Sequence, residues 1–165
     1  MSDTIKVLMV CLGNICRSPT AEAVFRAHVQ AAGLGERIVV DSAGTGDWHI
    51  GEAPDPRSIR HAAARNHDLS GLRARQVQAQ DFEDFHYIFA MDRQNLRDLL
   101  QRCPPQHQHK LLLLLQHGSS TLQEVPDPYD HGPEHFERVL DLVENASTAL
   151  LAALRSRHGQ LRQDA

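Results

Sequence analysis

Apolar positions along the chain follow two alternating rhythms. Residues 5–10 form a nearly unbroken apolar run, interrupted by Lys6, which predicts a strand covered on both faces. Behind the stretch "CLGNICRS", Ala21, Val24, Phe25, His28, Val29 and Ala32 recur at helical spacing, with Pro19 suited to a first turn and Gly33 and Gly35 to a stop. The order then repeats. "RIVVDSAG" predicts a second strand running into a glycine-rich loop, and residues 56–66 predict a helix after a proline-bounded turn. Residues 85–91 predict a third strand, followed by a helix to about residue 101 that "CPP" ends. "KLLLLL" has no period of its own, but its length and its bracketing by "PPQHQH" and "QHGSS" predict a fourth strand. After a long loop, Phe136, Val139, Leu140, Val143, Leu150, Leu151 and Leu154 mark an amphipathic last helix, and residues 156–165 read as a polar, frayed tail.

Strand and helix in alternation imply an α/β fold with three α/β/α layers around a mostly parallel sheet of four strands. Ligands of such sheets gather at the carboxyl ends of the strands. That edge would collect Cys11, residues 42–48, Asp92 and Asp127. Residues 1–165 read as one domain, since 41% hydrophobic residues over this length supply a single core.

Charge narrows the function classes. A formal net charge of -4 gives no general attraction to nucleic acid or an anionic membrane. The apolar run at residues 5–10 is too short for a signal peptide or a membrane span, and "LLLLL" is shorter still, so a cytoplasmic protein is expected. Three cysteines cannot all pair with one another, and Cys11 and Cys16 share one short loop, a poor disulfide framework.

The chemistry concentrates in "CLGNICRS". Gly13 and Asn14 tolerate backbone conformations that crowd other residues, so successive N–H groups can curl toward one anion at the positive end of the following helix. A phosphate monoester requires donors for its equatorial oxygens, supplied by the loop amides and the planar guanidinium of Arg17, and a nucleophile in line beneath phosphorus, supplied by Cys11. The electropositive surroundings favour the reactive thiolate, and Ser18 adds a hydroxyl that can donate to it. A plain buried cysteine would leave Gly13 and Arg17 unexplained. No second cysteine pair or histidine pattern completes a metal site, and the lysine of a "GxxxxGK[ST]" nucleotide loop is missing.

Other positions carry two readings each. Asp127 in "VPDPYDHGP" is either an ordinary turn before the last helix or a carboxyl group held rigidly by Pro126 and Pro128 to protonate a leaving oxygen. Tyr129 and Trp48 are loop aromatics that either pack or wall a slot. Asp92 reads first as a helix cap and second as an acid at the active edge, and Cys16 as a packed thiol or as a resolving partner for oxidised Cys11.

"VCLGNICRSPTAEAVF", "DSAGTGDWHIGEAPDPRS", "ARQ" at residues 74–76, "FAMDRQN" and "VPDPYD" closely resemble the low molecular weight protein tyrosine phosphatases over nearly the whole chain. The resemblance implies a four-stranded parallel sheet with an N-terminal phosphate-binding loop of Leu12, Gly13, Asn14, Ile15, Cys16, Arg17 and Ser18, and hydrolysis of phosphotyrosine without metal or cofactor through a cysteinyl phosphate. It implies Cys11, Arg17 and Asp127 as catalytic residues, Cys16 as redox partner, Ser18, Asn14 and Asp92 as supports, and Ile15, Trp48 and Tyr129 as the substrate slot. It implies phosphotyrosine proteins as partners and, for a bacterial source, a tyrosine kinase as one context. Ile15, where phosphoarginine-selective relatives tend to carry threonine, implies a preference for phosphotyrosine. Two departures stand out: Leu72 replaces the family's histidine before "RARQ", removing an expected partner of Asn14, and Asp130 replaces the second tyrosine of many animal members. The competing readings are an arsenate reductase, whose cysteine pair Cys103 alone does not supply, and an inactive phosphate-dependent binding protein.

Overall fold

The computed structural model describes residues 4–161. Strands β1 (Ile5–Cys11), β2 (Ile38–Gly44), β3 (Tyr87–Ala90) and β4 (Leu111–Leu113) form one parallel sheet in the order β2-β1-β3-β4. Helices α1 (Arg17–Ala31), α2 (Pro56–Ala63) and α5 (Pro133–Arg157) cover one face, and α3 (Ala79–Asp84) and α4 (Arg93–Arg102) cover the other. The interior position of β1 explains its unbroken apolar run. Val7 and Met9 enter a core with Val24 and Phe25 of α1 and Val143 and Leu150 of α5, while Leu8 and Val10 enter a second core with Phe82 of α3 and Leu99 of α4. Each such fully buried side chain contributes about 1.5–3 kcal/mol relative to exposure.

The elements differ from the sequence expectation where periodicity was too short to read. β4 takes only three leucines, and Leu114–His117 coils into a 3-10 turn. Leu113, Leu114 and Leu115 are buried across that change, so burial rather than strand extension accounts for the run. The six-residue α3 was not expected; at its start Gln78 N–H donates to Asp81 Oδ2 (2.7 Å) and Asp81 N–H to the Gln78 carbonyl (3.0 Å). α2 ends at Ala63 rather than 66, and Asn66 turns the chain with φ 68°. Beyond Arg155, α5 continues to Arg157 and a 3-10 turn, Gly159–Leu161, returns Leu161 to complete burial in the first core. That one apolar side chain gives the otherwise polar tail a reason to dock; residues 162–165 lie outside the described residues.

Register levels the carboxyl edge. Cys11 pairs with Gly44 and Val10 with Ala90, so the turns after β1, β2 and β3 open side by side.

Candidate active site

Residues 11–18 leave β1 and enter α1 as a closed loop. Its carbonyls are taken from outside: Thr45 N–H donates to Cys11 O (2.9 Å), Gly46 N–H to Leu12 O (2.9 Å) and Asp55 N–H to Ile15 O (2.8 Å). No acceptor among the described residues takes the N–H groups of Gly13, Ile15 or Cys16. The first-turn amides of α1 add to them, since a helix start leaves its N–H groups without intrahelical partners. Asn14 sits at φ 58°, a left-handed conformation that asparagine tolerates. Gly44 is required for a different reason: a Cβ there would fall 2.7 Å from Leu12 O.

The sulfur of Cys11 is 3.0 Å from Ser18 Oγ and accepts from Asn14 N–H at 3.3 Å. Asn14 Nδ2 donates to Ser18 Oγ (2.8 Å), so the Ser18 proton is left for one of two acceptors, the sulfur at 3.0 Å or Ala43 O at 3.4 Å. The other Nδ2 hydrogen goes to Ser42 Oγ (3.0 Å), which donates in turn to the buried Glu22 carboxylate (2.6 Å), and Asn14 Oδ1 accepts from Arg75 N–H (3.0 Å). Asn14 therefore has partners at both ends of its amide without a histidine at position 72. Leu72 packs against the core instead. Glu22 and Arg75 carry no local pattern that distinguishes them from helix and loop polar residues, and Ser42 was legible only as part of the edge at residues 42–48.

Arg17 is the first residue of α1 and only 2% exposed. Its Nη1 donates to Asp92 Oδ2 (2.6 Å) and to Val125 O (3.1 Å), its Nη2 lies 3.8 Å from Asp127 Oδ2, and its Nε is buried with no partner among the described residues. Burial acts to weaken its basicity, but the negative charge of Cys11 and the Asp92 hydrogen bond outweigh it and raise the guanidinium above its ordinary range. Asp92 caps α4, as the first of its two readings has it, with Oδ1 accepting from Asn95 N–H (2.7 Å), while Oδ2 holds Arg17. Burial pushes the Cys16 thiol up to about 12 and keeps it neutral. Cys11, Cys16 and Cys103 are all free thiols.

A cleft of about 290 Å³ opens above the loop. Cys11, Gly13 and Arg17 form its base, and Ile15, Trp48, Asp127 and Tyr129 line it as well. Trp48 and Tyr129 are 67% and 47% exposed, so these aromatics stand in solvent rather than in the core. The Trp48 ring lies back over Gly46, where a Cβ would fall 1.9 Å from Cζ3. Asp127 belongs to the segment after Val125, whose N–H is fixed on Met91 O (2.8 Å) beyond β3. Its Oδ1 accepts from Tyr129 N–H (3.1 Å), and its side chain remains half exposed. His49 and Asp130 also line the cleft, His49 paired with Glu52 at 3.0 Å; neither carried a motif that would have singled it out as a lining residue.

A backbone cradle, a partnerless guanidinium nitrogen and a sulfur at the base form an oxyanion receptor with a nucleophile. Comparison with known proteins points the same way. The family model described as low molecular weight phosphotyrosine protein phosphatase matches residues 6–160. A low molecular weight protein-tyrosine-phosphatase of Streptomyces coelicolor is 45% identical over 156 residues, covering 92% of this chain and 94% of the relative. Among solved structures, a protein tyrosine phosphatase from Entamoeba histolytica superposes with a TM-score of 0.89 at 40% identity, covering 95% of this chain and 99% of its own. YfkJ from Bacillus subtilis does so with the same score and identity, covering 94% and 97%. The chain belongs to the low molecular weight phosphotyrosine protein phosphatase family.

Proposed function

We propose that this protein hydrolyses phosphotyrosine monoesters in two steps through a cysteinyl phosphate. The observation that carries the reading is the base of the cleft: the Cys11 sulfur accepts from Asn14 N–H and lies 3.0 Å from Ser18 Oγ, beside an Arg17 whose Nε is buried with no partner among the described residues. In the first step the Cys11 thiolate attacks phosphorus and the P–O bond to the phenol breaks. Asp127, protonated, gives its proton to the departing phenolic oxygen. The loop amides and Arg17 Nε and Nη2 bind the equatorial oxygens and stabilise the charge spread over them. In the second step Asp127 takes a proton from water, the water oxygen bonds to phosphorus and the S–P bond breaks. Inorganic phosphate leaves, and the thiolate returns to the hydrogen bonds from Asn14 and Ser18 that steady it.

Ile15, Trp48 and Tyr129 form apolar walls for a flat ring, which supports phosphotyrosine over phosphoarginine as substrate. Phosphotyrosine proteins are the partners this chemistry requires, and a bacterial tyrosine kinase carrying such esters is one class. The free thiols support a reducing compartment such as the cytoplasm, and no helix among the described residues is long and apolar enough to cross a membrane. Cys16, in the same loop as Cys11, is the candidate redox partner.

The test is phosphate release from a phosphotyrosyl peptide in the presence of a metal chelator, with rapid quenching to look for phosphate on Cys11. Turnover with a phosphocysteine at position 11 is expected. A protein that holds the peptide and releases no phosphate is a binding module, and comparable turnover of phosphoarginine peptide defeats the stated preference.

A further inference from the structure

The position of Asp127 is set by its loop, since its own contacts are one turn hydrogen bond to Tyr129 N–H and a 3.8 Å approach to Arg17. What holds that loop on the α2 side is Arg57. Nη2 of Arg57 donates to Tyr129 O at 2.8 Å and Nη1 reaches His131 O at 3.5 Å. The guanidinium lies over the Phe136 ring of α5 (4.6 Å to the centroid) and beside the Tyr129 ring (5.4 Å). Its remaining donors fork onto Asp55: Nε to Oδ1 at 3.1 Å and Nη2 to Oδ2 at 2.9 Å.

Asp55 connects to the other half of the site. It is buried, it caps α2 by accepting from Arg57 N–H (2.8 Å), and its own N–H holds Ile15 O in the phosphate-binding loop. Burial alone would raise its carboxyl group's pKa; the hydrogen bonds from Arg57 override this and hold it below the ordinary carboxylate range. One planar side chain thus spans the two loops. A lysine has a single point of charge and cannot make the fork and reach the carbonyl together.

Resting on the phosphatase reading above, we propose that Arg57 is a positioning residue: through Tyr129 O it holds the Asp127 carboxyl group over the cleft, and through Asp55 it locks that loop to the phosphate-binding loop. It touches neither phosphate nor leaving group, so its removal is expected to damage proton delivery while sparing phosphate binding.

The experiment compares kcat/KM for phenyl phosphate, a poor leaving group, with 4-nitrophenyl phosphate, a good one, in the parent, Asp127→Asn, Arg57→Ala, Arg57→Lys and the Asp127→Asn/Arg57→Ala double variant. Because general-acid catalysis is worth roughly 10²–10⁴-fold, a loosened acid in Arg57→Ala should cost about 10–100-fold on phenyl phosphate and under about threefold on the nitrophenyl ester. Arg57→Lys should fall between Arg57→Ala and the parent. Inhibition by inorganic phosphate should change by less than about twofold, because Arg57 gives the cradle no donor and Asp55 holds Ile15 O through its backbone N–H. In the Asp127→Asn background the Arg57 substitution should cost little more, since there is no proton left to position.

Equal losses of kcat/KM on both esters, or full additivity with Asp127→Asn, would overturn the proposal. Should Arg57→Ala fail to fold, Arg57→Lys carries the same comparison. A parent inactive on both esters overturns the phosphatase reading itself. An active parent in which only Asp127→Asn depends on the leaving group overturns the role of Arg57 alone.

Discussion

Residues 11–18 and residues 125–131 border the same cleft and are built in opposite ways. In the first segment Cys11, Asn14, Cys16, Arg17 and Ser18 are each at most 5% exposed, and every loop carbonyl described above is held by a donor from another segment. In the second, Tyr129 and Asp127 stand half in solvent, and the segment hangs from Val125, Arg17 and Arg57. The contrast follows from what each has to do. Charge on a transferring phosphoryl group is stabilised by donors already in place, so the cradle must be rigid before substrate arrives. A proton carrier has to admit a bulky phenol and then a water, so its loop is open and is fixed at a few points, Val125, Tyr129 O and His131 O.

Removing the rigid side should therefore cost most. Cys11→Ser is expected to release no phosphate above background, and Arg17→Ala to lose at least about 10³-fold in kcat, measured on phenyl phosphate. Arg17→Ala also strands the Asp92 carboxylate, so its thermal midpoint should fall, whereas Cys11→Ser should hold its fold. An Arg17→Ala enzyme with near-parental turnover would remove the reason for the cradle. On the open side, Asp127→Asn is expected to lose about 10²–10³-fold on phenyl phosphate and far less on 4-nitrophenyl phosphate. Equal loss on both would make Asp127 a structural residue and erase the difference between the loops.

Reactivity sharpens the contrast within the rigid loop itself. With the Cys16 thiol pushed up to about 12, roughly one molecule in 10⁴ carries a Cys16 thiolate at pH 8. Iodoacetate at that pH is expected to label Cys11 alone, with labelling slowed by inorganic phosphate; peptide mass mapping reads the outcome. Labelling of Cys16 at a comparable rate would show that the loop opens in solution.

Two glycines separate a rigid contact from a movable one. A Cβ at Gly44 would meet backbone, Leu12 O at 2.7 Å and Gly13 C at 3.2 Å, so the cradle itself must shift; misplacement on that scale costs about 10²-fold in kcat. The atoms nearest a Cβ at Gly46 all belong to the Trp48 ring, which can swing into solvent. Gly46→Ala is therefore expected to raise KM for phosphotyrosyl peptides about three- to tenfold with kcat retained. Equal effects of the two substitutions in steady-state kinetics would mean that Trp48 is as fixed as the loop.

The same contrast decided what could be read from sequence. The cradle is contiguous, and its chemistry requires particular residue types at adjacent positions, so Cys11, Gly13, Asn14, Arg17 and Ser18 were legible from one short string. The sheet was legible because β1 and β3 are buried on both faces, and α1 and α5 were legible because they are long enough to show a period. The acid side was not: from local pattern alone Asp127 stayed ambiguous between a turn and a proton carrier until family resemblance was added. The residues that hold the site, Glu22, Ser42, Asp55 with Arg57, and Arg75, come from four separate segments and meet only in the folded chain. The leucine run misled because complete burial looks alike in a strand and a 3-10 turn.

Position 72 gives the finest test of the rigid side. Both Asn14 Nδ2 hydrogens are already used, on Ser18 and Ser42, and Oδ1 is taken by Arg75 N–H. A histidine there could add no partner to the Nδ2 end without displacing one, and could add at most a second donor to an Oδ1 that Arg75 N–H already holds, while giving up the packing of Leu72 against the core. Leu72→His is therefore expected to change kcat/KM by less than about twofold and to lower stability by about 1 kcal/mol in a denaturant titration. The double variant Leu72→His/Ser42→Ala separates the two supports, because removing Ser42 frees one Nδ2 hydrogen and leaves it for the histidine. If the histidine restores activity only in the absence of Ser42, the Asn14 amide is one fixed element with interchangeable partners. If it raises activity in the parent as well, the cradle is less complete than its hydrogen bonds indicate.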